Sequence, residues 1–335
     1  MIHRTALTWH TESWQEALKN LIRSPKELFE LLQLDNTDLE MALEACGQFE
    51  LRVPRSFAAR MQIGDPNDPL LKQVLPTGRE LLAEPGYSQD PLGEQAANPH
   101  PGLIHKYKGR VLLVVTGSCA INCRYCFRRH FPYQDNRPSR ETWRQALDYI
   151  AQDDSINEVI FSGGDPLNAP DSTLQWLSAQ IAQIPHITRL RVHSRLPIVI
   201  PARITDSCLE WMASDRFDNV LVIHANHANE IDAGVASALA RLKSHGVTLL
   251  NQTVLLNGVN NHAQTLINLS ERLFQCGVVP YYLHMLDKVA GAAHFDVDQA
   301  DARRLVQVMR ENLPGYLVPK LVREIAGEAS KTPIL

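Results

Sequence analysis

The chain has 335 residues, 44% of them hydrophobic and 21% charged, with a formal net charge of -4 at pH 7. That is ample for one large globular domain or two, and it excludes a disordered chain. The charge gives no general attraction to nucleic acid, no apolar run approaches the roughly 20 residues of a membrane span, and "MIHRTALTWH" lacks the apolar core of a signal peptide. A cytoplasmic protein acting on a small molecule is therefore expected, with neither nucleic acid nor membrane as partner.

In chain order, Trp14, Leu18, Leu21 and Ile22 recur at helical spacing. "SPKE" then restarts a helix: Ser24 can cap, Pro25 suits the first helical position, Glu27 can bond back to the cap, and Leu28, Leu31 and Leu32 continue an apolar face. From about Asp65 to Gly102 the chain is rich in Pro, Gly, Asn and Asp, which suits a long surface connection. Residues 1–100 thus read as a helical N-terminal region and a connection.

Beyond residue 100, six β-rich runs, "RVLLVV", "NEVIFS", "RLRVHS", "NVLVIH", "VTLLNQTVLL" and "VVPYYLHML", alternate with helical patterns such as "ETWRQALDYIAQ" and "TLQWLSAQIAQI". Repeated strand and helix units predict an α/β fold, an incomplete (β/α)6 barrel over residues 101–290 followed by a C-terminal segment, 291–335. Chemistry in such barrels sits on loops at the C-terminal ends of the strands.

"TGSCAINCRYCFRRH" follows the first of these strands and places Cys119, Cys123 and Cys126 in a C-x3-C-x2-C array. A zinc site is one reading, but structural zinc wants four ligands, and Cys46, Cys208 and Cys276 lie singly in unrelated segments. Three thiolates on a four-iron cluster are the other reading, and they leave one iron open to bind a ligand. "FSGGDP", at the end of the second strand, is by itself a tight turn.

The cysteine spacing, with Tyr125 before Cys126, resembles the radical S-adenosylmethionine superfamily. "CRYCFRRH", "SGGDPL", "IHANHANE", "NQTVLLNGVNN" and "KTPIL" narrow the resemblance to the lysine 2,3-aminomutases and extend it over essentially the whole chain. That resemblance implies a [4Fe-4S] cluster on Cys119, Cys123 and Cys126, with the open iron chelating S-adenosyl-L-methionine. Ser162, Gly163, Gly164 and Asp165 then match the element that contacts the methionine portion, and His224 and Gln252 match further contacts.

Lys331 in "AGEASKTPIL" matches the family lysine that binds pyridoxal 5'-phosphate covalently, which makes it the implied catalytic lysine, although the family's preceding glycine run is weakened here. Lys106, Tyr107 and Arg110 match a segment that approaches this cofactor. Arg128 matches the arginine that pairs with the substrate carboxylate. Asp287 matches one of two aspartates that hold the ε-ammonium of L-lysine, while the second position is Glu324, a longer acid. The implied activity is an isomerase: an adenosyl radical removes a C3 hydrogen, the amino group migrates from C2 to C3, and β-lysine results.

The short chain most resembles family members that supply (R)-β-lysine for modification of elongation factor P. An external one-electron reductant, a homodimer and no zinc are the accompanying expectations. Two alternatives stand beside this reading: a radical S-adenosylmethionine enzyme without pyridoxal phosphate, and a non-catalytic zinc-binding adaptor.

Overall fold

The computed structural model describes residues 12–136 and 139–335. The expectation that rested on residues 1–10, the absence of a signal sequence, lies outside the described residues. Three helices open the described chain, α1 (Trp14–Lys19), α2 (Pro25–Leu32) and α3 (Leu39–Gln48), and a single turn follows, α4 (Arg55–Ala58). The cap expected at Ser24 is not made by its side chain, although Pro25 does occupy the first turn. Glu27 is drawn instead to Arg55, so the reciprocal box cannot close. Such a box does form at α1, between Ser13 and Glu16.

One nine-stranded sheet makes up the rest: β1 (Leu103–Tyr107), β2 (Arg110–Thr116), β3 (Glu158–Gly163), β4 (Arg189–Ser194), β5 (Asp218–Ile223), β6 (Thr248–Val254), β7 (Val279–His284), β8 (Lys320–Arg323) and β9 (Thr332–Pro333). The strands lie in sequence order. Neighbours from β2 to β8 pair in parallel, while β1 and β9 add antiparallel edges. The six expected strands are β2 to β7, and β8 is a seventh parallel strand outside that count. Helices α5 (Arg140–Gln152), α6 (Asp171–Ala182), α7 (Leu196–Val199), α8 (Asp206–Met212), α9 (Ala233–Ser244), α10 (Ala263–Gln275) and α11 (Gln299–Asn312) fill the crossovers.

Strand alternation sorts the two faces of the sheet. Val111, Leu113, Val159, Phe161, Leu190, Val192, Leu221, Ile223 and Leu249 point outward into a core that also holds Trp14, Leu28, Val53, Phe57, Leu70 and Leu71. The change of architecture near residue 100 is therefore not a break in the core. A second cluster packs Val306 and Met309 of α11 against Leu283 and Leu321. The opposite face is polar, with Arg110, Glu158, Arg191, His193, Gln252, Tyr282 and His284 at alternate strand positions.

Residues 65–102 are only in part a surface connection: 82–86 are exposed, but the segment also packs into the core. Leu70, Leu71 and Val74 are fully buried, and so are the polar Gln73, Glu80 and Glu94. The proline- and glycine-rich composition reflects irregular backbone, but this strap wraps the mouth of the barrel and its acids neutralise buried arginines. Glu80 faces both Arg124 and Arg129 of the cysteine loop, at 2.9 Å from the latter. Replacing Glu80 by glutamine should leave two guanidinium groups short of charge in a buried site and cost on the order of 3 to 5 kcal/mol. A thermal or denaturant melt of the purified variant measures it, and an unchanged melt would contradict this role.

Candidate active site

The cysteine loop leaves β2 at the C-terminal end of the parallel strands and is fastened on several sides. Asn122 N donates to Arg52 O at 3.0 Å, and Arg124 N donates to Gln73 O at 2.9 Å. Arg124 is fully buried, with Nε 2.8 Å from Glu80 and Nη1 2.8 Å from Phe49 O. The loop is thus anchored to the strap and to the segment around Arg52 by backbone and side-chain bonds alike. Cys119, Cys123 and Cys126 are free thiols. Burial, then the neighbouring Cys126, Asp165 and Cys123, push the Cys119 thiol well above its usual pKa. Burial and Cys123 push Cys126 up to about 11.

Cys119 and Cys126 therefore stay protonated at neutral pH until a metal displaces the protons. Among the described residues, no three His, Cys, Asp or Glu side chains converge as ligands of one metal ion do. In a four-iron cluster each thiolate meets its own iron, so the three sulfurs need not close on one point. This donor set fits a cluster with one iron lacking a protein ligand.

The turn after β3 packs directly on this loop. Gly164 N donates to Thr116 O at 2.7 Å and Asp165 N to Ser118 O at 3.0 Å. A Cβ on Gly163 would lie 2.4 Å from Thr116 O, and one on Gly164 2.6 Å from Ser118 O. Both glycines are required by this close approach, and Gly163 also has a φ of +120°. The Asp165 carboxylate accepts from Leu167 N at 3.1 Å, Ser194 Oγ at 2.6 Å, Arg195 N at 2.7 Å and Leu196 N at 3.1 Å. Its oxygens are thereby spent tying β3 to the end of β4, while Gly163 O accepts from Arg128 Nη1 at 3.2 Å and from the Tyr133 hydroxyl at 2.8 Å.

Along the lumen, His224 Nε2 lies 3.4 Å from Gln252 Nε2. Burial, with Arg195, Lys331 and Arg128 nearby, lowers His224 to about 3. His193 and His284 are likewise held well below the usual value by burial first and by neighbouring positive charge. In both, Nε2 is buried without a hydrogen-bond partner. Three neutral imidazoles, two of them with an unspent nitrogen, make a lumen suited to a polar planar ligand.

Lys331, just before β9, reaches this lumen from the barrel's open edge. Its Nζ lies 2.7 Å from Glu324 Oε2 and 5.8 Å from the Tyr282 ring centroid. Glu324 Oε1 in turn takes Lys106 Nζ of β1 at 3.0 Å, and Lys106 lies 3.4 Å from Glu94. Glu94 grips Arg128 bidentately at 2.7 and 2.8 Å. Arg128, Glu94, Lys106, Glu324 and Lys331 therefore form one chain of alternating charge that joins the cysteine loop to the C-terminal lysine and links β1 to the segment between β8 and β9 at the other edge of the sheet.

Burial alone would raise Glu324, but Lys331 and Lys106 bring it down to about 2. Asp287 is pushed the other way, up to about 7, by burial and by the charge of Glu324. Burial, then the charge of Glu324, pushes the Tyr107 phenol well above its usual value. Arg110 stacks on the Tyr107 ring at 4.4 Å, and Arg191 pairs with Glu158 at 3.1 Å on the lumen floor.

All the residues singled out in the sequence meet at this one barrel mouth and lumen, but several partners differ from expectation. The fork of Arg128 is already engaged by Glu94, with its Nη1 3.0 Å from Ser162 Oγ. Glu324 faces two lysines, because its longer arm reaches Lys331. Lys106 sits between two acids. Glu94, Gln73 and Glu80 escaped sequence reading because their segment carries no periodic pattern. Arg195 and Glu230 carried a positional signal, since each follows a barrel strand.

The Radical SAM superfamily model matches residues 113–210, from β2 through the cysteine loop to α8. The L-lysine 2,3-aminomutase of Escherichia coli (strain K12) is 54% identical over 324 residues, covering 96% of this chain and 94% of the relative. The chain belongs to the lysine 2,3-aminomutase family. The family member of the same name from Haemophilus influenzae is 50% identical over 96% of this chain and 95% of its own length. A glutamate 2,3-aminomutase of Clostridioides difficile is 30% identical over the full chain and 79% of its own length. The family uses a [4Fe-4S] cluster, S-adenosylmethionine and pyridoxal phosphate, and the thiols, the glycine turn and the lysine-bearing lumen described above fit those three groups.

Proposed function

We propose that this chain converts L-α-lysine to β-lysine by moving the amino group from C2 to C3. One observation carries the reading: Lys331 enters the same barrel mouth as the cysteine triplet, joined to it by the charge chain through Glu324, Lys106, Glu94 and Arg128. When bound, the cluster and S-adenosylmethionine supply a 5'-deoxyadenosyl radical, and pyridoxal phosphate carries the migrating nitrogen. Cys119, Cys123 and Cys126 hold the cluster. Ser162, the Gly163–Gly164 turn, His224 and Gln252 would hold S-adenosylmethionine, and Lys331 would anchor pyridoxal phosphate, with Tyr107, Arg110 and Arg191 lining the same lumen.

Arg128 receives the substrate carboxylate, which takes the place that Glu94 occupies on the guanidinium. Asp287 meets the ε-ammonium, because Glu324 is committed to Lys331 and Lys106. Neutral His193, His224 and His284 can orient a ligand without adding charge to the lumen. The sign of the pH dependence follows from Asp287: below about 7 it is protonated and a poor partner for an ammonium, and above it ionises.

KM for lysine should therefore fall as pH rises through that value. Asp287→Asn should remove the step and weaken lysine binding by about 2 to 5 kcal/mol, roughly 30-fold or more. Reductive cleavage of S-adenosylmethionine should survive in that variant. Competition between lysine, ornithine and norleucine under anaerobic turnover, with β-amino products quantified across pH, provides the measurement. Equal use of lysine and norleucine would sink the assignment.

The finer reading is that the product is (R)-β-lysine, made in the cytoplasm for attachment to elongation factor P, by a homodimer charged by an external one-electron reductant. Its support is the likeness to the L-lysine 2,3-aminomutases of Escherichia coli and Haemophilus influenzae along nearly their whole length. Chiral chromatography of the product decides the stereochemistry.

A further inference from the structure

We propose that Arg195 sets the reduction potential of the cluster by donating a hydrogen bond to the sulfur of Cys123; this rests on the cluster assignment above. Arg195 follows β4 and is 4% exposed. Its Nη1 lies 2.7 Å from Cys123 Sγ and 2.6 Å from the Tyr125 hydroxyl. Its Nη2 lies 2.7 Å from Gln73 Oε1 and 3.0 Å from Glu230 Oε2. Its backbone N–H is taken by Asp165 at 2.7 Å. The guanidinium also stands over the Phe57 ring at 5.5 Å and the Tyr125 ring at 5.7 Å.

The surrounding groups hold this placement. Glu230 Oε1 accepts from Asn226 N at 2.8 Å, His227 N at 3.0 Å and Gln73 Nε2 at 3.1 Å, so only Oε2 faces Arg195. Asn226 Nδ2 lies 2.6 Å from the Tyr125 hydroxyl and 2.9 Å from Gln73 Oε1. Residues from the strap, the cysteine loop, the end of β4 and the loop after β5 thus converge on one planar cation, whose free edge meets a cluster-ligating sulfur. A lysine could not serve all four side-chain partners at once, because it lacks the fork.

The physical consequence concerns one electron. Reduction adds a negative charge to the iron-sulfur unit, and an N–H donor to a ligating sulfur, carried on a buried cation, stabilises the reduced form more than the oxidised one. The low dielectric of the buried site enlarges the difference. Arg195 therefore brings the cluster within reach of its external reductant, and Glu230 limits the effect by neutralising part of the cation. Arg195 is a positioning and tuning residue, not a catalytic one.

Anaerobically reconstituted holoenzyme, the Arg195→Met variant and the Arg195→Lys variant are compared by redox titration monitored by the electron paramagnetic resonance of the reduced cluster. The Met variant should titrate at lower potential, with the reduced-to-oxidised ratio at the wild-type midpoint down about tenfold, equivalent to ~59 mV for one electron. The Lys variant should fall between. An unchanged midpoint in the Met variant overturns the proposal, also where S-adenosylmethionine binding weakens, since that would assign Arg195 to the ligand.

If the variants assemble no cluster, wild-type enzyme labelled with 15N in its arginine guanidinium groups still decides. A 15N coupling to the reduced cluster supports the contact, and its absence overturns it. Wild-type protein that takes up no iron and sulfide would instead sink the cluster assignment, a result distinct from an unchanged midpoint.

Discussion

Cys123→Ala should yield folded protein that neither turns brown on anaerobic reconstitution nor forms 5'-deoxyadenosine. Isomerisation should drop by at least about 10⁶-fold, the low end of what enzymes contribute, because no other group in the site can generate the radical. The loop itself should stay in place, since it is held by Arg124 on Glu80 and by backbone bonds to Arg52 and Gln73, none of which passes through the thiol. Iron and sulfide analysis, the cluster absorbance and product chromatography give three readouts. Full activity in zinc-loaded, iron-free protein would end the cluster reading.

Lys331→Ala separates the two halves of the site. Iron content and reductive cleavage of S-adenosylmethionine should persist, because the cysteine loop and the C-terminal strand are distinct segments. Pyridoxal phosphate should no longer survive gel filtration or become fixed by borohydride, and isomerisation should fall on the order of 10³-fold or more. Loss of the ammonium also relieves Glu324 of one of its two cations, leaving Lys106 at 3.0 Å to hold it ionised. A borohydride-fixed cofactor in the variant would move the anchor to another lysine.

The first prediction rests on a feature readable in the linear chain, and the reason is local; the second rests on the family resemblance of "KTPIL". Three thiols within one short loop announce their shared purpose without help from the fold, and β-branched runs spaced by helical patterns announce parallel strands because each run must bury one face. Glu94 announces nothing, since a lone acid in a proline- and glycine-rich stretch resembles a solvated one. Only when the strap closes over the barrel does its carboxylate come within 2.7 Å of Arg128. Strands β8 and β9, four and two residues long, are equally silent, since pairing with β7 and with each other defines them.

The sequence by itself determined the α/β class and the six central strands, and it put forward the cysteine triplet as cluster ligands and, through the resemblance carried by "KTPIL", Lys331 as the second cofactor's anchor. The strands follow from periodicity and the cysteine reading from chemistry confined to a few neighbouring residues, whereas Lys331 was legible only through the family resemblance. Tertiary structure decided which charge meets which: Arg128 with Glu94, Glu324 with Lys331 and Lys106, and Arg195 with the sulfur of Cys123. Those pairings join segments 34, 7, 218 and 72 residues apart. A charge's partner in a low-dielectric site depends on distances that chain order does not encode, so the electrostatics of the mouth exist only once the strap, the open barrel edge and the cysteine loop have packed together.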